Sequence, residues 1–220
     1  MLKYNLGQTR LTSWKDDYES LLRADDRELE EAMTRSRSIS WKNFGKQIRF
    51  YAPSFTYYKT RYFHSSPTAF PTISVTGSSC ALKCKHCCGK VLETMLPVTT
   101  PEELIDICED LRGRGCTGCL ISGGCLPDGS LPLDRFTDAI AEIKHRLGLT
   151  ILVHTGIIDV STARALKKAR VDAALIDVIG SHETIREVCQ LNAGVDDYEK
   201  ALRALHQSKI PTVPHVLVGL

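Results

Sequence analysis

The run Cys80-Ala-Leu-Lys-Cys84-Lys-His86-Cys87 sets three cysteines in a CxxxCxxC spacing directly after a strand-like segment, Pro71-Thr-Ile73-Ser-Val75-Thr-Gly77. Three thiolates on one short loop can hold three irons of a [4Fe–4S] cube and leave the fourth iron open for a small chelating ligand. Soft thiolates select iron–sulfur or zinc, and the missing fourth ligand suits an open, reactive site better than a closed structural one. The same triplet, with Cys88 beside it, is also half of a zinc site completed elsewhere. The elements around a motif decide between such readings.

Outward from the triplet, strands and helices alternate. Strand one is Pro71–Thr76, and a helix opens at Thr100-Pro101-Glu102-Glu103, a capping box with proline at the first helical position. Its apolar face is Leu104, Ile107, Cys108 and Leu111, the spacing of a buried stripe, and Gly113 ends it. Cys108 is therefore a packing residue. Strand two covers residues 118–122, and a second helix runs from about 133 to 147 with Phe136, Ile140, Ile143 and Leu147 facing inward. Strand three (150–154), a helix over 161–169 and strand four (173–179) follow; then come a short helix capped by Ser181, a helix over 195–207 and strand five (212–219). Near-continuous apolar strands between amphipathic helices predict an α/β fold with a parallel sheet buried on both faces, hence a (β/α) barrel or partial barrel. Strand five ends the chain as an uncovered hydrophobic edge, and a six-strand partial barrel needs one more β/α unit. The sequence thus reads as truncated after strand five.

Before the barrel core at 71–220, residues 1–70 read as a helical and aromatic lead-in. A charged helix is expected from about 12 to 37 on the three- and four-residue steps of Leu11, Trp14, Tyr18, Leu21 and Leu22. The aromatic, basic stretch from Trp41 to Phe70 can suggest stacking on nucleic acid, but a segment packed over the barrel bottom is preferred.

Composition narrows the classes. At 220 residues the chain fits one domain, and 43% hydrophobic with 25% charged residues is ordinary for a globular protein. A net charge of +2 gives no case for a nucleic-acid or membrane-surface partner. No apolar run approaches the roughly 20 residues that span a bilayer, and no signal-peptide stretch opens the chain, so a cytoplasmic protein is expected. Nine cysteines are many for a reducing compartment, where metal or redox chemistry outranks disulfides. All but Cys189 fall between residues 80 and 125.

In a β/α barrel, ligands bind at the C-terminal ends of the strands. Strand one delivers the cysteine loop. Strand two delivers Ser122-Gly123-Gly124-Cys125, where paired glycines allow close backbone approach. His154 ends strand three. Asp177 stands in the otherwise apolar strand four, where a carboxylate must be paired or hydrogen-bonded, and a polar contact to a ligand inside the barrel is preferred to a structural salt bridge.

The triplet and its position resemble the signature of the radical S-adenosylmethionine (SAM) superfamily, in its biotin synthase-like branch, over about residues 70–220. The resemblance implies a partial (β/α) barrel of the radical SAM type with a [4Fe–4S] cluster on Cys80, Cys84 and Cys87. It sets His86 beside the SAM adenine and Ser122, Gly123 and Gly124 against the SAM amine, although Cys125 replaces the acidic residue of the family's "GGE" element. His154 and Asp177 are further candidates for SAM contact. The end Val218-Gly219-Leu220 resembles the matching biotin synthase strand, but positions near Leu152 and Val213 are not the cysteines of that enzyme's second cluster. The run from Phe70 to Gly77, with the cysteine-rich character, also looks like the archaeal-type lipoyl synthase pair. The implied activity is reductive cleavage of SAM to a 5′-deoxyadenosyl radical, for sulfur insertion in lipoyl- or biotin-type cofactor biosynthesis. A ferredoxin- or flavodoxin-type electron donor and a second radical SAM subunit are the implied partners. Rearrangement or methylation in another cofactor pathway, and a non-enzymatic iron–sulfur or zinc subunit, are the alternatives. Cys116, Cys119 and Cys125 are expected in one region near the mouth of strand two, as ligands of a second Fe–S cluster or as plain buried thiols.

Overall fold

The computed structural model describes residues 20–47, 59–62, 64 and 66–217. Two compact units result, Met1–Tyr51 and Ala52–Leu220.

In the first unit the helix expected over 12–37 is placed differently. Residues 20–23 are helical, Ala24 and Asp25 interrupt, and helix α1 runs Asp26–Phe44. Asp25 explains the break, because its carboxylate accepts from the Glu28 N–H while Glu28 reaches back to the Asp25 N–H, a complete capping box. Leu11, Trp14 and Tyr18 lie outside the described residues. Trp41 and Phe44 belong to α1, and Phe50, Tyr51, Phe55, Tyr57, Tyr58 and Phe63 of the expected aromatic stretch lie outside the described residues.

The second unit is a parallel sheet of β1 (Thr72–Ser74), β2 (Leu96–Pro97), β3 (Gly118–Ser122), β4 (Thr150–His154), β5 (Ala173–Val178) and β6 (Thr212–Val216), ordered β2-β1-β3-β4-β5-β6. The sheet is open, as in a partial barrel. Five strands fall where the hydrophobic runs place them, and β2 is an addition: two residues of low apolar content leave no periodic signal. A 3₁₀ turn at Lys90–Thr94 leads into β2.

The helices are α2 (Pro101–Gly113), α3 (Thr137–Leu147), α4 (Val160–Lys168), α5 (His182–Glu187) and α6 (Val195–Gln207). The helix expected from 133 begins as a 3₁₀ turn, Leu133–Phe136, and becomes α-helical at Thr137. Strand register assigns each side chain to a face. Ile73, Ile121, Val153, Ala174 and Ile176 share one face and pack beneath Leu104, Ile140, Leu166 and Leu205 of the helices. Each such buried Leu or Ile contributes about 1.5–3 kcal/mol. The other face carries Ser74, Ser122, His154, Asp177 and His215 at the C-terminal strand tips. Polar groups thus crowd one end of one face, where a β/α barrel binds its ligands. At the opposite end a Cβ on Gly118 would meet the Phe70 ring at 2.5 Å, so Phe70 covers the start of β3. Among the described residues no helix is long and apolar enough to cross a membrane.

Candidate cofactor site

The cysteine loop leaves the tip of β1 and is tied down on both sides. Ser74 Oγ donates to the Gly77 carbonyl at 2.6 Å and Thr76 Oγ1 to the Ser79 carbonyl at 2.9 Å, which turns the chain out of the sheet. The Ala81 N–H donates to the Cys125 carbonyl, and the Lys85 N–H donates to the Val188 carbonyl beyond α5, both at 2.8 Å. Cys87 and Cys88 donate their N–H groups back to the Cys84 carbonyl, and the turn closes through Cys88 (φ 47°) and Gly89 (φ 77°). The result is a compact loop that carries Cys80, Cys84 and Cys87 inward and leaves Cys88 exposed.

The glycine pair after β3 shapes this loop directly. A Cβ on Gly124 would lie 2.0 Å from the Ser79 carbonyl oxygen and 2.6 Å from Cys80 Cβ. Only glycine lets the two loops approach so closely. The Gly124 N–H also donates to Thr76 Oγ1 at 2.7 Å. Gly123 is looser, with Thr76 Oγ1 at 3.1 Å from its would-be Cβ, and Ser122 is buried.

Five thiols share the enclosure. Cys80, Cys87 and Cys125 pack against an apolar cluster of Leu82, Cys84, Ile179, Ile185, Cys189, Leu191 and Tyr198. Burial, reinforced by neighbouring Cys189, Cys87, Cys80 and Cys125, pushes the Cys84 thiol up to about 12. Burial with Cys80, Asp177, Cys87 and Cys189 does the same to Cys125, also to about 12. Cys84 Sγ–H donates to the Cys189 carbonyl at 3.2 Å. Protonated thiols held this way become ligands by losing a proton to an incoming cation. His86 is exposed at the rim, with a ring nitrogen within 4.8 Å of the Cys84 and Cys189 sulfurs.

The donor set fits a [4Fe–4S] cube. Cys80, Cys84 and Cys87 offer soft sulfur from one loop into an apolar enclosure, and the ligands of a cube sit on different irons and stand farther apart than the ligands of one ion. Cys189, distant in sequence, and Cys125 join the triplet only in space. Cys116 and Cys119 do not accompany Cys125, contrary to the expectation of one region. They sit at the start of β3 with no exposure, in the helix-covered core beside Cys108. Cys116 donates to the Gly118 carbonyl at 3.0 Å, while hydrogen bonding to Cys108 and burial raise the Cys119 thiol. The reason is the run of β3, since Cys119 is its second residue and Cys125 lies beyond its C-terminal end.

Beside the thiols, at the tips of β4, β5 and β6, lie His154, Asp177 and His215. Asp177 Oδ1 faces His154 Nε2 at 3.2 Å and His215 Nδ1 at 3.4 Å. Burial raises the Asp177 carboxyl, yet the His154 hydrogen bond and the two imidazoles outweigh it and hold the group below its ordinary value. His215 was not among the residues expected in the site, although a histidine in an apolar strand was a visible signal; its partner depends on the register of β5 against β6.

No curated protein matches the chain in sequence. Among solved structures, methylornithine synthase (PylB) aligns with a TM-score of 0.53 at 18% identity, over 93% of this chain and 55% of that one. HydG, a maturase of the [FeFe]-hydrogenase, aligns with a TM-score of 0.56 at 18% identity, over 89% of this chain and 41% of that one. At such identity the likeness is one of fold, and the chain spans about half the length of these proteins. A family profile described as the radical SAM superfamily matches residues 74–220, from the tip of β1 through the cysteine loop to the last residue. The chain belongs to the radical SAM superfamily.

Proposed function

We propose that this chain is the cofactor-binding barrel of a cytoplasmic radical SAM enzyme, with sulfur insertion of the lipoyl or biotin type as its reaction. The observation that carries the enzyme reading is the family match over 74–220 together with three loop cysteines converging at the C-terminal end of a parallel sheet. When bound, the cluster and SAM supply a 5′-deoxyadenosyl radical by reductive cleavage of the sulfonium, with methionine released. Cys80, Cys84 and Cys87 would hold the cluster as thiolate ligands. Leu82, Ile179, Ile185 and Leu191 wall the thiols with apolar surface and exclude water. Gly124 sets the distance between the cysteine loop and the loop after β3, and with Ser122 and Gly123 it is a candidate for the SAM amine. His86, at the rim, is the candidate to lie against the adenine, while His154 and Asp177 face the interior for SAM or substrate. Sulfur insertion draws its support from the resemblance of the Phe70–Gly77 run and from two further thiols, Cys125 and Cys189, in the same enclosure. A low-potential electron donor and a second radical SAM subunit are the partners this reading requires.

The test is anaerobic reconstitution followed by SAM and a strong reductant. We expect 5′-deoxyadenosine to be released, and Cys80→Ala, Cys84→Ala and Cys87→Ala each to lose both iron and product. Cys108→Ala, altered in the core alone, should keep its iron. Iron bound without 5′-deoxyadenosine overturns the enzyme reading, and equal iron loss in all four variants overturns the ligand assignment. Product without sulfur transfer to an octanoyl or desthiobiotin acceptor overturns sulfur insertion alone.

A further inference from the structure

Three donors on adjacent strands converge beside the thiol enclosure without belonging to it. Asp177 and His215 are register partners on β5 and β6, and His154 pairs with Leu175, two residues before Asp177. A two-residue step returns to the same face, so all three side chains project from one face at one end of the sheet. The register brings a carboxylate and two imidazoles together from positions 154, 177 and 215, and their ligand atoms all lie within 4.8 Å of one another.

We propose that His154, Asp177 and His215 form a binding site for one divalent first-row transition ion, through which His154 and Asp177 meet the substrate that the proposed function assigns to them. The distances carry the inference. Two ligands of one ion, each bonded at about 2.1 Å, stand about 3.0 Å apart at a right angle and about 3.4 Å apart at a tetrahedral angle. The two measured separations, 3.2 and 3.4 Å, fall in that interval. Both imidazoles address the same oxygen, Oδ1, with the His154 contact at the long end of an ordinary N–H···O hydrogen bond and the His215 contact beyond it. The rings are not stacked, since their planes meet at 41° with centroids 5.7 Å apart.

Donor chemistry narrows the ion. Two imidazoles and one carboxylate suit Fe²⁺, Zn²⁺ or Co²⁺, whereas Mg²⁺ and Ca²⁺ prefer all-oxygen shells. Three protein ligands leave at least one coordination position open, the arrangement of a reactive rather than a structural site. The side chains keep 22%, 42% and 41% of their surface, so an ion can enter. An oxygen or sulfur anion of a substrate is the ligand that position would take.

The experiment reads metal identity and count, independently of SAM cleavage. The full chain is reconstituted anaerobically, exposed to Zn²⁺, desalted, and analysed for iron and zinc. We expect a single zinc per chain in addition to the cluster iron, absent in His215→Ala and Asp177→Asn with iron unchanged. A parallel Co²⁺ titration of the chain with Cys80, Cys84 and Cys87 changed to serine should give weak visible d–d bands without intense thiolate charge transfer. Affinity for Co²⁺ should fall at least about tenfold in each His or Asp variant, since even groups one shell outside a metal cost 10–100-fold. No zinc beyond the cluster, equal zinc in His215→Ala, or a thiolate spectrum for the bound cobalt each overturns the site. Zinc bound without iron would instead count against the cluster assignment and leave this site standing.

Discussion

At the scale of single residues, the decisive one after the cysteines is a glycine. Gly124 allows the loop after β3 to touch the cysteine loop, with a would-be Cβ only 2.0 Å from the Ser79 oxygen. That atom belongs to backbone held by Thr76, so it cannot swing away as a flexible side chain would. Gly124→Ala should displace Cys80 and lower the iron retained after reconstitution by well over half. A destabilisation of about 1–3 kcal/mol, the usual range for overpacking, should accompany it in denaturant melts. Gly123→Ala, whose nearest neighbour stands at 3.1 Å, should do far less. Iron and stability unchanged in Gly124→Ala would mean the two loops do not meet as described. The glycine pair was visible in the sequence, but the contact of Gly124 with the cysteine loop was not, because it joins two loops distant along the chain.

Among the elements, α2 was the most legible, since its cap lies in consecutive residues. Thr100 Oγ1 accepts from the Glu103 N–H, while Glu103 Oε2 accepts from the N–H groups of Thr99 and Thr100. Those donors, Thr99 first, hold the Glu103 carboxyl below its ordinary value of 4.5. A carboxyl depressed in the folded state stabilises the protein fully above its unfolded value, and the gain disappears as pH falls through the folded value. Urea midpoints should therefore drop between pH 5 and strongly acidic conditions more in the parent than in Glu103→Gln; identical slopes would show that the cap is not charge-dependent. At the other extreme, β2 is two residues long and exists because Ile73 and Ser74 offer it an edge. Nothing local could announce it.

For the molecule as a whole, the chain divides into two compact units at Tyr51 and Ala52, and Cys80, Cys84 and Cys87 all lie in the second. A chain starting at Ala52 should keep its melting temperature within a few degrees and its full iron content, and a collapse of either would show that the first unit stabilises the barrel. The sequence by itself determined the alternating architecture and the cysteine triplet. Strand and helix periodicity repeat within a few residues, and Cys80, Cys84 and Cys87 lie within eight positions of one another. Long-range register lay beyond it. Cys189 reaches the triplet through a turn fixed by a Lys85–Val188 hydrogen bond, and His215 reaches Asp177 because β6 pairs with β5 at that step and no other. A shift of one residue would have turned His215 to the helix-covered face. Such pairings follow from how separate strands bury their apolar faces together, a property of the folded sheet that no single stretch of chain contains.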